Sequence, residues 1–514
     1  MPSFGELARR NGQTWASKDA FIELDRRVTW GEFDRRTDAL GHALRAAGVQ
    51  PGDRVAMLAT DCIETAELFI ACTKIGAVRV GLNARLAPPE IAALINDSAP
   101  KLVFVQAACE RISGAAEPEI APGLAPAFVG FGGAHRFRLD YEELIGRQLG
   151  TGPLKHTPGE IVMIAYTTGS TGLPKGAVYP HASFLNSILY CLLYEAAGHD
   201  AVWLHAMPAA GIPIMHMLRG LFSGASTVIV GPWEPQRALH LIARERATNT
   251  VLVPTMLNSL LGVGDLGKHD VTSMRLMGYG ASPLPAATIR EAVRAFGCPF
   301  LQMYGTTELV GMSMMLLPSD HVLGMASRPE ILASAGKALS FVELRIVDDD
   351  RQDVAPGEIG ELIVRSEVMF PAYWRAPEKF AETVIDSWLY TGDMARQDAD
   401  GYVYLGDRAK FRIKTGGYNV FPTEVENVLA EHPAVDEVAV VGLPDAIWGE
   451  RIHAVVTLKP GAAVDAEVLR NSCRGRIADF KVPKTLEIWP ELPKGPTGKI
   501  QKRAIIGRCM ADKH

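Results

Sequence analysis

The stretch IVMIAYTTGSTGLPKGAV, residues 161–178, runs from an apolar, strand-like segment into hydroxyls and glycines and closes on Lys175. Successive glycines let backbone N–H groups turn toward one anion, forming a nest. Thr167, Thr168, Ser170 and Thr171 add hydroxyl donors, and Lys175 adds a positive charge. A plain turn has no use for so many hydroxyls and glycines beside a lysine, so the composition points to phosphate. A Walker loop places a hydroxyl directly after its lysine to hold Mg2+. Here Pro174 precedes Lys175 and Gly176 follows it, so the segment is not a Walker loop.

Other stretches could share in the same chemistry. GYGASP (278–283) and YGTTE (304–308) are short glycine-bearing motifs, and WLYTGD (388–393) ends on a carboxylate. Further on lie GDRAKFRIKTGGYNVFPTEVE (406–426) and PTGKI (496–500). With VTWGEFDRR near the start, these stretches and their order resemble the motifs of the adenylate-forming enzymes. That superfamily includes acyl-CoA synthetases, aryl-CoA ligases, peptide-synthetase adenylation domains and beetle luciferases. Each stretch alone is weak; in this order, spread over nearly the whole chain, they are specific.

The resemblance implies an ATP-dependent acyl-CoA ligase. A carboxylate resists a thiol because it is anionic and has no good leaving group. Transfer of AMP from ATP makes a mixed anhydride and releases pyrophosphate, and CoA then opens the anhydride to a thioester and AMP. Such an enzyme must hold a triphosphate, stabilise charge on the α-phosphate and exclude water.

By resemblance, Thr167, Thr168, Gly169, Ser170, Thr171, Gly172 and Lys175 grip the β- and γ-phosphates. Glu308 is the expected Mg2+ partner, with Thr167 supplying a hydroxyl; oxygen ligands suit that ion. Thr306, beside Gly305, meets the α-phosphate, and Gly280, Ala281, Ser282 and Tyr304 enclose the adenine. Asp393 accepts from the ribose hydroxyls, assisted by Arg408. Lys499 is the expected catalytic residue of adenylation, reaching an acyl oxygen and the α-phosphate as charge develops. Lys410 stands at the hinge position. Rotation there would withdraw Lys499 and bring up Lys414, Gly416, Gly417 and Tyr418, the glycines giving the pantetheine thiol close approach.

Two departures stand out. Phe411 occupies a place where related sequences commonly carry an acid. In HAMPAAGIPIMH (205–216), Ala209, Ala210 and Gly211 stand where the family often has a bulky gate beside the acyl pocket. His205 and His216 read as satisfied core histidines. Small residues at the gate and Met303, Met312, Met314 and Met315 on the expected opposite wall suit an apolar monocarboxylic acid. A medium-to-long fatty acid is expected; a ring-bearing acid, or an acyl-AMP ligase loading a carrier protein, are the alternatives. A nucleotide-binding scaffold without turnover is disfavoured by Glu308, Asp393 and Lys499.

These residues need a large scaffold. At 514 residues the chain exceeds a single core. Short β-branched runs at 54–59, 76–82, 101–105 and 226–231 alternate with amphipathic helical stretches such as ETAELFIACTKI, the pattern of stacked βα units with largely parallel sheets. Residues 106–157 read as an irregular excursion. Around Phe341 two strands flank a polar turn, suggesting a small barrel-like part. Thr423 and Glu426 have capping-box spacing. The expectation is an α/β fold: an N-terminal body over 1–409 and a small, mobile α/β C-terminal domain over 410–514.

Composition bounds the partners. A net charge of −6 disfavours nucleic acid. The seven cysteines are scattered without C-x-x-C spacing, as in a reducing compartment. No signal peptide or membrane span is legible, so a cytoplasmic enzyme is expected, with the acid, ATP and CoA as partners and a homodimer left open.

Overall fold

The structure, a computed structural model, describes residues 2–167, 175–195, 197–264, 266–281, 284–408, 411, 413–415, 418–445, 448–474, 476–477, 479–495 and 500–511, with backbone alone at 407, 408, 414, 418 and 419. The chain divides into two compact units, Met1–Glu343 with Arg365–Leu389, and Leu344–Val364 with Tyr390–His514. The boundary expected at 409/410 lies outside the described residues.

In the first unit, seven described strands form one sheet in the order Leu139–Asp140, Ala127–Phe131, Leu102–Gln106, Arg54–Ala59, Val78–Asn83, Ile161–Thr167 and Lys175–Pro180. All neighbours run parallel except the last pair. A second sheet holds nine described strands, parallel through its middle from Phe300–Thr306 to Asp19–Glu23 and antiparallel at both ends. Strands such as Arg54–Ala59 and Leu102–Gln106 are buried along consecutive residues, hence on both faces. Helix-covered parallel strands require such unbroken apolar runs.

Three local expectations are corrected. Residues 106–157 supply the last two strands at one end of the first sheet and the helices Glu110–Ala116 and Tyr141–Gln148, because Ala116, Val129, Phe131, Tyr141 and Ile145 are buried and anchor them. The helix Ile63–Ile75, whose sequence looks amphipathic, is buried all round. Its charges are paired: Glu67 with Arg36 at 2.5 Å, and Lys74 with Asp34 and Asp38 at 2.7 Å each. A buried charge persists only when matched in this way. Finally, no Thr423–Glu426 capping box forms. The helix Pro422–Ala430 starts at Pro422, with Phe421 as N-cap and no side-chain cap. Proline suits that first position because its missing N–H would have no partner there. Glu426 instead accepts from the Val440 N–H and pairs with Lys502.

The second unit carries most of a five-stranded sheet in which Val342–Val347 and Gly360–Ser366 are neighbours, as expected, and Val403–Arg408 pairs antiparallel with Trp388–Gln397. Its other sheet orders Tyr418–Val420, Ile413–Thr415, Gly449–Leu458 and Val435–Asp445, with Thr485–Ile488 on Gly449–Leu458. Val420, Val425, Val440, Ile452 and Val456 are in its core. The protein is thus mixed α/β, a large body followed by a small C-terminal domain. Among the described residues no helix is long and apolar enough to cross a membrane.

Candidate active site

The two strands flanking residues 168–174 pair antiparallel, with Thr167 opposite Lys175. The two strands thus form a hairpin. Lys175 lies over the ring of Tyr373, 5.2 Å from its centroid.

The strand Phe300–Thr306 of the other sheet delivers YGTTE at its C-terminal end, running into a single turn over Thr307–Leu309. A side chain on Gly305 would meet the Gly311 carbonyl oxygen at 2.1 Å, so only glycine fits. Val310, next in the chain after that turn, is held at φ 58°. Left-handed backbone at a β-branched residue is strained, and such strain gathers at functional sites. The buried Thr306 Oγ1 has no hydrogen-bond partner among the described residues. Buried hydroxyls are almost always satisfied; among the described residues this one remains free to accept or donate a further hydrogen bond.

Glu308 Oε1 accepts from the Tyr373 hydroxyl at 2.7 Å. The Tyr179 hydroxyl donates to the Thr307 carbonyl at 2.8 Å. Burial, then the Glu308 charge, push both phenols above their ordinary value, so both remain donors. The first unit thus assembles Thr167, Lys175, Tyr304, Gly305, Thr306 and Glu308 on strand ends of two sheets, linked by two tyrosines. Gly280 ends the neighbouring strand Leu276–Gly280, and Ala281 follows at φ 70°.

Asp393 and Arg408 belong to the second unit, opposite one another on paired strands. Asp393 follows Gly392, whose φ of 72° and N–H bond to Glu361 Oε1 at 3.0 Å shape the turn. Thr391 Oγ1 accepts from the Asp393 N–H at 3.1 Å.

Models of two families match this chain: AMP-binding enzyme over residues 8–374, and AMP-binding enzyme C-terminal domain over 424–499. The chain belongs to the AMP-binding enzymes. Among curated relatives, a fatty acid–acyl-carrier-protein ligase of Streptomyces coeruleorubidus is 34% identical, over 95% of this chain and 92% of its own. An indoleacetate–CoA ligase of Aromatoleum aromaticum is 33% identical over 96% of each. Among solved structures, an anthranilate CoA ligase in complex with anthranoyl-AMP superposes with a TM-score of 0.89 at 29% identity, over 99% of this chain and 98% of that one. The family is that of the adenylate-forming enzymes, of the acyl-CoA synthetase type.

Several residues that the family resemblance singles out lie outside the described residues: Thr168, Gly169, Ser170, Thr171, Gly172, Ser282, Lys410, Gly416, Gly417 and Lys499. Arg408, Lys414 and Tyr418 are described by backbone alone, on strands of the second unit.

Around the expected acyl gate, His216 is a core residue as anticipated. Its Nδ1 meets Arg219, whose guanidinium pairs with Glu195, all three buried. Burial, then Arg219, hold the imidazole well below its ordinary value. His205 is buried, yet neither ring nitrogen has a hydrogen-bond partner among the described residues; Nε2 lies 3.3 Å from Asp61 Oδ2 outside hydrogen-bond geometry. Asp61 Oδ1 instead accepts from the Ala209 N–H at 2.7 Å, and buried Arg79 donates to the Ala210 carbonyl at 3.4 Å. The expected methionine wall divides. Met303 pairs directly with Met315 and Met314 with Tyr304 on the other face, whereas Met312, beyond a register shift in the ladder, lies opposite Gly305. Asp61, Arg79 and Tyr373 were missed because each acts through a contact distant in sequence, with no local pattern to reveal it.

The donors present fit Mg2+. Glu308 and Thr167 offer hard oxygens, and with one carboxylate oxygen of Glu308 engaged by Tyr373 the other is available to a cation.

Proposed function

We propose that this chain is an AMP-forming acid–CoA ligase for an apolar monocarboxylic acid, a medium-to-long fatty acid in the first place. The observation that carries the reading is the meeting of Lys175, Thr306 and Glu308 at the ends of two sheets, with the Thr306 hydroxyl left for a ligand. In this reading Lys175 and the loop before it bind the β- and γ-phosphates, and Thr306 donates to the α-phosphate. Glu308 and Thr167 would hold Mg2+, which when bound neutralises charge on the triphosphate. Lys499 stabilises the charge that develops as the carboxylate attacks. Asp393, with Arg408, holds the ribose. After adenylation, rotation at Lys410 withdraws Lys499 and brings Lys414, Gly416, Gly417 and Tyr418 beside the thiol of CoA.

The acid is read from the gate. Ala209 is buried, and a side chain added at Gly211 would meet nothing nearer than Pro213 Cδ at 3.8 Å. Small side chains thus leave room at Gly211, and the charges nearby, Asp61 and Arg79, are engaged by the Ala209 N–H and the Ala210 carbonyl. Fatty acids and indoleacetate, named for two relatives, are both apolar monocarboxylates. A second reading, an acyl-AMP ligase that loads a carrier protein, draws on the first of those relatives. Cytoplasmic residence suits the CoA reading.

The test is pyrophosphate release across fatty, aromatic and polycyclic acids, with CoA or an acyl-carrier protein as acceptor. Each buried methylene contributes ~0.8 kcal/mol, so kcat/KM should climb about fourfold per carbon until the pocket is full. Gly211→Trp should shorten the preferred acid. Preference of the unaltered enzyme for acetate or malonate would sink the pocket reading, and turnover with the carrier protein alone would favour the second one.

A further inference from the structure

Tyr373 stands between two groups that the proposed reaction needs in one place and that arrive from different sheets. Its hydroxyl donates to Glu308 Oε1 at 2.7 Å, and its ring faces the Lys175 ammonium. Ammonium over an aromatic face is an attractive arrangement, stronger when water is excluded. The backbone around Tyr373 is fixed as well. Tyr373 bridges Ala177 antiparallel, the Val178 N–H donates to the Ala372 carbonyl at 3.1 Å, and the Trp374 N–H donates to the Gly176 carbonyl at 2.7 Å. Residues 372–374 therefore lie as an extra strand beside the chain that leaves the phosphate loop. Three residues earlier, the Phe370 N–H donates to the carbonyl of Glu308 itself at 2.9 Å. One short segment thus grips both the strand of Lys175 and the backbone and side chain of Glu308.

We propose that Tyr373 is the positioning residue of the triphosphate site: it occupies Oε1 of Glu308, turns the second carboxylate oxygen toward the cation, and keeps Lys175 on the same side. The inference rests on the reading of Glu308 as a Mg2+ ligand. A glutamate with three side-chain torsions is otherwise spread over several rotamers, and apparent affinity falls with the fraction in the competent one. Hydrogen bonds to a charged group are among the stronger ones. Losing this bond should reduce the Mg2+-dependent part of nucleotide affinity about tenfold.

The experiment titrates the full-length protein with ATP by calorimetry, without acid or CoA so that nothing turns over, once with Mg2+ and once with chelator. Mg2+ should tighten ATP binding to the unaltered protein. Tyr373→Phe keeps the ring under Lys175 and removes only the hydroxyl. It should leave Mg2+-free affinity unchanged and reduce the Mg2+-dependent gain about tenfold. Glu308→Gln should reduce that gain further, and Tyr373→Phe should then add nothing, because it acts through Glu308. A full Mg2+ gain in Tyr373→Phe alongside a lost gain in Glu308→Gln overturns the positioning role and leaves the proposed function standing. Equal weakening with and without Mg2+ overturns it in favour of a packing role, as does additivity of the two substitutions. A full gain in Glu308→Gln removes the metal-ligand reading and the inference with it.

Discussion

A positive charge can do two jobs in this molecule. On Lys499 it is proposed to serve a transition state; on Arg219 it neutralises Glu195, both side chains being fully buried. Lys499→Ala should therefore cripple adenylation, by about 10²–10³ in rate, yet largely spare thioester formation from supplied acyl-AMP. Measuring the two half-reactions separately decides this, and equal losses would refute the division of labour. Arg219→Met should leave activity per folded molecule in place and lower stability by about 3–5 kcal/mol, because an uncompensated carboxylate stays buried. Denaturant titration reads that loss. Adding Glu195→Leu should recover much of it, since an apolar pair of similar size needs no counter-charge.

At the scale of elements, strands were legible wherever burial on both faces demands an unbroken apolar run, as at Arg54–Ala59 and Leu102–Gln106. The ends of the site strands were legible through the motifs they carry. Illegible were the features decided by partners far away in sequence. The helix Ile63–Ile75 looks two-sided only until Arg36, Asp34 and Asp38 are seen to meet its charges. Thr423 and Glu426 had the spacing of a cap, but Pro422 starts the helix and Val440 takes the glutamate. Tyr373 reaches Glu308 across 65 residues, and nothing in the text PAYW marks it. The hinge is also an element-scale proposal. Replacing Lys410 by proline fixes φ and removes an N–H, so acyl-AMP should accumulate while thioester formation falls sharply. Single-turnover quenching with labelled acid would detect this, and unchanged overall turnover would place the hinge elsewhere.

For the molecule as a whole, buried imidazoles set one limit on stability. Burial, followed by Arg219, holds His216 well below its ordinary value, and burial first of all lowers His181 and His321. The unfolded chain protonates each ring below about pH 6.5, whereas the folded chain resists. The unfolded state then binds more protons, so stability should decline as pH falls below about 6.5, by up to ~1.4 kcal/mol per unit for each ring. Denaturant midpoints between pH 8 and 5.5 test this. His216→Gln should flatten the slope, and a level profile would contradict the assignment. The thiols are buried too: all seven cysteines are free and enclosed, and burial pushes Cys72, Cys191 and Cys298 up to about 12. Thiolate is the reactive form, so the native protein should be nearly silent toward maleimide dyes. One cysteine added at exposed Arg111 and another at exposed Lys459, one on each unit, could then be labelled without first stripping the natural ones. The rotation proposed at Lys410 would then appear as a change in energy transfer, molecule by molecule, in an otherwise unaltered enzyme, and its absence during turnover would count against the hinge.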